Sequence, residues 1–176
     1  MTMTLDDAER IVEALVLASP KPLTSARAAD VLDIDPNLVE RLFERLESRY
    51  EGRGITLRRI AGGVQFTTHP DYAEWIDRLG RQVINTPLSP AALETLAIIA
   101  YEQPVTRGDI EKIRGVRSDS AVNSLLEREL TAEAGRKEGP GRPILYRTTD
   151  QFLVHFGLNS LDELPQREAE QNSLDS

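Results

Sequence analysis

The chain repeats itself. Displaced by 82 positions, "IVEALVLASPKPLT" (residues 11–24) lies over "LETLAIIAYEQPVT" (residues 93–106), and both are apolar helical stretches that stop at a turn and resume with Pro, an aliphatic residue and Thr. At a displacement of 83, "NLVERLFER" (residues 37–45) lies over "SAVNSLLER" (residues 120–128) with its apolar positions kept. Those positions, Leu38, Val39, Leu42 and Phe43 against Ala121, Val122, Leu125 and Leu126, form the stripe of a helix that faces a core. At 80, Phe66, Tyr72 and Ile76 match Tyr146, Phe152 and Phe156. Self-similarity at a fixed period implies two copies of one supersecondary unit.

Each copy reads as three helices, a hairpin and a closing helix. In the second, Ser89 caps a helix with Pro90 in its first turn, and Gln103 and Pro104 end it. Thr106 caps the next helix, which stops at Arg114 and Gly115, because glycine accepts the left-handed conformation that closes a helix. Ser118 caps a third helix that runs to about Leu130. "LTAEAG" and "ILYRTT" then flank the polar turn "RKEGPGRP", and in the first copy "ITLRRI" and "VQFTT" flank Ala61-Gly62-Gly63. A short hairpin around glycine and proline makes a wing. The fold class is therefore mainly α with small β-hairpin wings: two tandem winged helix-turn-helix domains, 1–80 and 88–165, joined by a linker at 81–87. Residues 166–176, polar and acidic, lack the apolar surface that offsets the entropy of ordering and read as a disordered tail.

A winged helix suggests DNA, yet the formal net charge is -8. Affinity for a duplex comes largely from neutralising phosphates. Helices that read bases present Arg, Lys, Asn or Gln to the groove. The third helix of the second copy turns Asp119, Ser120, Asn123, Ser124, Glu127 and Arg128 outward. That of the first turns out Asn37, Glu40, Arg41, Glu44, Arg45, Glu47 and Ser48, and neither set forms a positive stripe. Only the second wing, with Arg136, Lys137, Arg142 and Arg147, is locally basic, which leaves weak or indirect DNA contact as its expected limit. The same wing is no phosphate loop, since Pro140 and Pro143 remove amides and a strand follows rather than a helix.

Chemistry finds little support. His69 precedes Pro70 at a helix start, where it caps. His155 lies beside Phe152 and Phe156 on a closing helix. With no cysteine, these two histidines make no metal site, and neither cofactor nor catalytic residue is expected. No apolar run approaches the roughly 20 residues that cross a bilayer, so a cytoplasmic protein is expected. The run "LETLAIIAY" is apolar on more than one stripe. Such a helix is either wholly buried in its own unit or covered on one side by another chain.

Residues 88–158 carry long blocks, "LSPAALETLAIIAYEQPVTRGDIEKIRGV" and "GRKEGPGRPILYRTTDQFLVHFGL", followed by "LDELP". They resemble the segregation and condensation protein B family, the kleisin-associated subunit of the bacterial SMC complex. The first copy matches more loosely, in its layout and in "LTSARAADVLDID". The resemblance implies a non-enzymatic adaptor that forms a homodimer largely through the amino-terminal domain. It would bind the central region of the kleisin, segregation and condensation protein A, and through it SMC, in support of chromosome compaction and partition. Carried onto this sequence, the family signature falls on Tyr101, Pro104, Val105, Arg107, Ile110, Arg114, Gly115 and Val116, with the kleisin expected on the second domain. Tyr101 and Arg107 are the favoured anchors, because aromatic and arginine side chains dominate interface energetics. The alternative is a dimeric winged-helix DNA-binding transcription regulator.

Overall fold

A computed structural model describes residues 4–79 and 87–166. The expected linker, but for Pro87, and all of the expected tail after Gln166 lie outside the described residues.

The first copy begins with α1 (Leu5–Ala18), entered through Thr4, whose hydroxyl takes the amide of Asp7 while the Asp7 carboxylate takes that of Thr4. This reciprocal box satisfies two amides that a helix start leaves open. α2 (Ser25–Leu32) is capped by Thr24, and α3 (Pro36–Tyr50) by Asp35 with Pro36 in its first turn. Val12 and Val16 of α1, Ala28 and Ala29 of α2, and Val39, Leu42, Phe43 and Leu46 of α3 meet in one core. Strands β1 (Ile55–Ile60) and β2 (Gly63–Thr68) close it from one side with Leu57 and Val64. They pair antiparallel with Ile60 opposite Gly63. The connection is thus the two residues Ala61 and Gly62, both at positive φ (50° and 72°), as the right-handed twist of a tight hairpin requires. Gly63, expected in the turn, is the first residue of β2. Its backbone passes so near Leu23 that a Cβ would lie 2.8 Å from the Leu23 carbonyl. A 3-10 turn (Pro70–Tyr72) and the short α4 (Ala73–Arg78) follow, with His69 capping the turn as expected.

The second copy repeats the order with α5 (Pro90–Glu102), α6 (Arg107–Arg114), α7 (Asp119–Glu127), the strands β4 (Thr131–Arg136) and β5 (Ile144–Thr148), and α8 (Asp150–Phe156). Gly115 closes α6 in the left-handed region at φ 72°. Its core joins Leu96 and Ile99 of α5, Ile110 of α6, Val122 and Leu125 of α7, Tyr146 of β5 and Phe152 of α8. The molecule is mainly helical with small antiparallel sheets.

Three features depart from the sequence reading. The second sheet has a third strand, β3 (Val105–Thr106), paired antiparallel with β5 so that the order is β3-β5-β4. The first copy has its counterpart in a single bridge, Leu23 with Val64. Helix α7 stops at Glu127 rather than near Leu130, because Glu129 turns to φ 57° and the Leu130 amide reaches back to the Leu125 carbonyl. Ser118 holds the cap position of α7, but its side chain makes no capping bond; its hydroxyl accepts from Arg114 instead.

Candidate partner-binding surface

Helix α5 is central to the second copy. Ala92, Thr95, Leu96, Ile98, Ile99 and Ala100 are buried, and Thr95 satisfies its hydroxyl by donating to the Ala91 carbonyl at 2.8 Å. Of the two readings left open for this helix, complete burial fails: Leu93 is 46 % exposed, and Ala97 and Tyr101 share that open side at helical spacing. The Tyr101 hydroxyl donates to the Pro165 carbonyl at 2.7 Å, so the chain's own last described residues run across the end of α5.

After a cis Gln103–Pro104 bond the chain enters β3. Gln103 is fixed from both sides, its amide nitrogen donating to the Ala100 carbonyl and its oxygen accepting from the amide and hydroxyl of Thr148. Pro104 is exposed, while Val105 and Ile110 are buried in the core. That burial corrects the expectation for these two side chains: they shape the surface from beneath and present nothing to a partner.

Arg107 opens α6. Its guanidinium pairs with Asp119 at the start of α7 and reaches the Tyr146 hydroxyl at 3.5 Å, joining two helices and the sheet. Arg114 ends α6 and its side chain is only 6 % exposed. Its Nε donates to Glu94 of α5 at 2.9 Å, and its Nη1 donates to the Ser118 hydroxyl and the Arg117 carbonyl. The ion pair locks α6 onto α5. Beside it in sequence stand Leu93 on one helix and Ile113 on the other, the latter 54 % exposed, with Val116 as open just beyond. Of the expected set, Tyr101, Pro104 and Val116 are accessible, Arg107 is half-buried, and Arg114 serves the scaffold. Leu93 and Ile113, open but outside that set, are candidates the structure adds; the apolar breadth of "LETLAIIAY" was the signal for the first.

The second hairpin, β4 and β5 with the turn between them, is less cationic than its composition. Lys137 pairs with Asp109 at 3.4 Å, and Arg136 donates to the Arg142 carbonyl at 3.1 Å. Asp109 is the third residue of α6 and closes a box with Thr106. The Thr106 hydroxyl, its amide and Lys137 hold that carboxyl below the usual aspartate value against a smaller opposing effect of burial. Arg142, at φ 38°, and Arg147 on β5 are exposed.

On α3 Arg41, Arg45 and Arg49 recur at intervals of four, interleaved with Glu40, Glu44 and Glu47. Two of the three arginines, half in solvent, are paired with carboxylates of α1. Arg45 pairs with Glu9 at 2.8 Å and with Asp6, and Arg49 pairs with Glu9 and Glu13, all on α1. Glu9 is itself buried. Arg59 of β1 joins Glu40 at 2.6 Å and Glu47 at 2.7 Å on the neighbouring flank of α3. Cations that phosphates would require are engaged by carboxylates of the same copy.

Among the described residues no group of three His, Asp or Glu is placed to hold a metal, and no helix is long and apolar enough to cross a membrane. The arrangement is that of a mainly helical protein with open apolar side chains, Leu93, Tyr101 and Ile113 among them, on its helix surfaces. Residues 10–167 match the family model described as segregation and condensation complex subunit ScpB. Segregation and condensation protein B of Symbiobacterium thermophilum is 51 % identical over 165 residues, 93 % of this chain and 75 % of the relative. A crystal structure of ScpB from Mycobacterium tuberculosis is 32 % identical, with 90 % and 99 % of the two chains covered and a TM-score of 0.44. A dimer of a ScpB N-terminal domain complexed with ScpA peptide is 29 % identical, covering 43 % of this chain and 96 % of that one, with a TM-score of 0.41. The chain belongs to the ScpB family of segregation and condensation complex subunits.

Proposed function

We propose that the chain is a non-enzymatic adaptor of the bacterial SMC chromosome condensation complex, built from two tandem winged-helix domains, 1–80 and 88–165, and working in the nucleoid-containing cytoplasm. It pairs with a second copy through the first domain. It binds the central region of the kleisin, segregation and condensation protein A, with the surface around Tyr101, Pro104, Arg107 and Val116 of the second, and reaches SMC through that kleisin to support compaction and partition. The observation that carries this reading is the family match across residues 10–167. Two others support it: apolar side chains stand open on α5 and α6, and Arg45 and Arg49 of α3 are engaged by carboxylates of α1.

Co-purification of the full chain with the kleisin's central segment tests it. A complex at micromolar protein is expected, weakened by Tyr101→Ala or Arg107→Glu while circular dichroism reports an unchanged fold. No complex with the wild-type chain overturns the assignment; unchanged affinity in both variants moves the contact to another surface. Sequence-specific duplex binding that survives about 150 mM salt would instead favour the transcription regulator, since nonspecific phosphate contacts weaken steeply over that range.

A further inference from the structure

In the second copy the turn between the strands, residues 137–142, is exposed throughout. The first copy uses the same element differently. Both of its turn residues aim their amides at the second copy: Ala61 donates to the Leu158 carbonyl at 2.9 Å, and Gly62 to Asn159 Oδ1 at 3.1 Å. On the strand below, the Arg58 guanidinium stands 3.5 Å from the Gly157 carbonyl, at the end of α8, where unpaired carbonyls favour a cation. Neither side of this contact is loose. The Leu158 amide donates to the Leu153 carbonyl at 2.9 Å, and the Leu158 side chain packs on the second core. Asn159 is held by the Glu163 carboxylate, which takes its amide at 2.9 Å. Across the hairpin, Ile60 is buried and Val64 pairs with Leu23.

We infer that the first hairpin is a latch between the two copies of the repeat, whose tip holds the second copy in one orientation by polar bonds rather than by a shared apolar core. Beside the tip the copies stand apart, leaving a cleft lined by Lys21 and Gln65 of the first and by Glu129 and Asp150 of the second. Among the described residues the helices and strands pack extensively only within their own copy. Units joined by small polar contacts ordinarily move relative to one another. The latch gives this pair a preferred closed state, and because its bonds are few it can open. While closed, it fixes how the surface on α5 and α6 is presented relative to the first copy. A tip whose amides are both engaged by the second copy also offers none to a phosphate, so the first hairpin is closed to a duplex in the latched state. The inference rests on contacts inside one chain and holds whichever partners the chain takes.

The chain has no cysteine, so introduced ones take spin labels at chosen sites alone. Ser48→Cys on α3 and Asn123→Cys on α7 put one exposed label on each copy. Pulsed electron paramagnetic resonance on the full chain, diluted with unlabelled chain so that only distances within one molecule are read, gives the distance distribution. One narrow population is expected. Arg58→Glu with Asn159→Ala sets a carboxylate against the Gly157 carbonyl and removes the acceptor of Gly62. This double variant should widen the distribution by about twofold or more with circular dichroism unchanged. Arg58→Glu alone, confined to one exposed side chain, should widen it to a smaller degree, and Arg58→Lys, which keeps the cation, should leave it narrow. A broad distribution in the labelled chain without further substitution overturns the inference. So does a narrow one that neither Arg58→Glu nor the double variant alters.

Discussion

The amide of Ala61 donates to the carbonyl of Leu158 at 2.9 Å, setting the hairpin tip of the first copy on the chain just past α8. The Gly62 amide adds a bond to the Asn159 side chain at 3.1 Å, and Arg58 reaches the Gly157 carbonyl at 3.5 Å. Tight turns ordinarily leave such amides to water. Asn159→Ala should therefore speed hydrogen exchange at Gly62 while Ala61, whose acceptor is backbone, keeps most of its protection. Equal acceleration at both would mean that the side chain governs the whole junction; no change at Gly62 would mean that the bond contributes nothing in solution.

Glycines 62 and 63 should respond differently to a methyl group. At Gly62 a Cβ meets nothing, and the penalty is that of a left-handed L-residue, about 1–2 kcal/mol. At Gly63 a Cβ would be driven to 2.8 Å from the Leu23 carbonyl, which is backbone held by the Leu23–Val64 bridge and unable to yield. Gly63→Ala should destabilise by about 2–3 kcal/mol or more and separate the bridge. Urea denaturation of the two variants decides, and equal losses would refute the packing argument.

Glu9 carries a buried carboxylate whose compensation is lopsided, because Arg45 and Arg49 remain half in solvent. Removing the carboxylate leaves cations that water can solvate. Removing the cations strands an anion. The double substitution Arg45→Ala with Arg49→Ala should thus cost about 3 kcal/mol, at the lower end of what breaking a buried pair does, and Glu9→Gln only about 1 kcal/mol. Chemical denaturation that ranked them in the reverse order would show that water reaches Glu9.

Much of this architecture was legible because its signals are local. Ser89 with Pro90, Thr106 with Asp109, and Gly115 each act within a turn of the helix they start or stop, so residue type alone announces them. The strands of both hairpins were legible for the same reason. What escaped depends on residues distant in sequence. Strand β3 is two residues long and exists because β5 arrives beside it, and the bridge at Leu23 arises in the same way. Arg45 and Arg49 carry no mark in the sequence that assigns them to Glu9, a partner reached only when α1 packs on α3. Within the candidate surface Tyr101 and Arg107 were nameable from the family signature, but burial divides that signature: Val105 and Ile110 lie inside while Tyr101, Pro104 and Val116 stand out, and a linear motif does not separate the two. The internal repeat misled at the closing helix, where Tyr72 and Phe152 align yet face opposite environments.

Acid should loosen both copies through identifiable carboxylates. Glu40 is partly buried, which raises its pKa, but hydrogen bonds from Arg59 and Ser25 and the Arg59 charge outweigh that and hold it below its ordinary 4.5. Asp109 is held below 3.8, chiefly by the Thr106 hydroxyl. A carboxyl whose folded pKa lies below its unfolded one contributes stability that is fully present above the unfolded value. That contribution drains away as pH falls through the folded value. Stability should accordingly be flat from neutrality to about pH 5 and decline below about 4.5. Glu40→Gln and Asp109→Asn, which keep an acceptor oxygen without the charge, should be less stable at neutral pH and show a shallower acid decline. Denaturation midpoints at pH 7 and through the acid range read both effects. An acid limb as steep in the variants as in the wild type would place the titrating groups elsewhere.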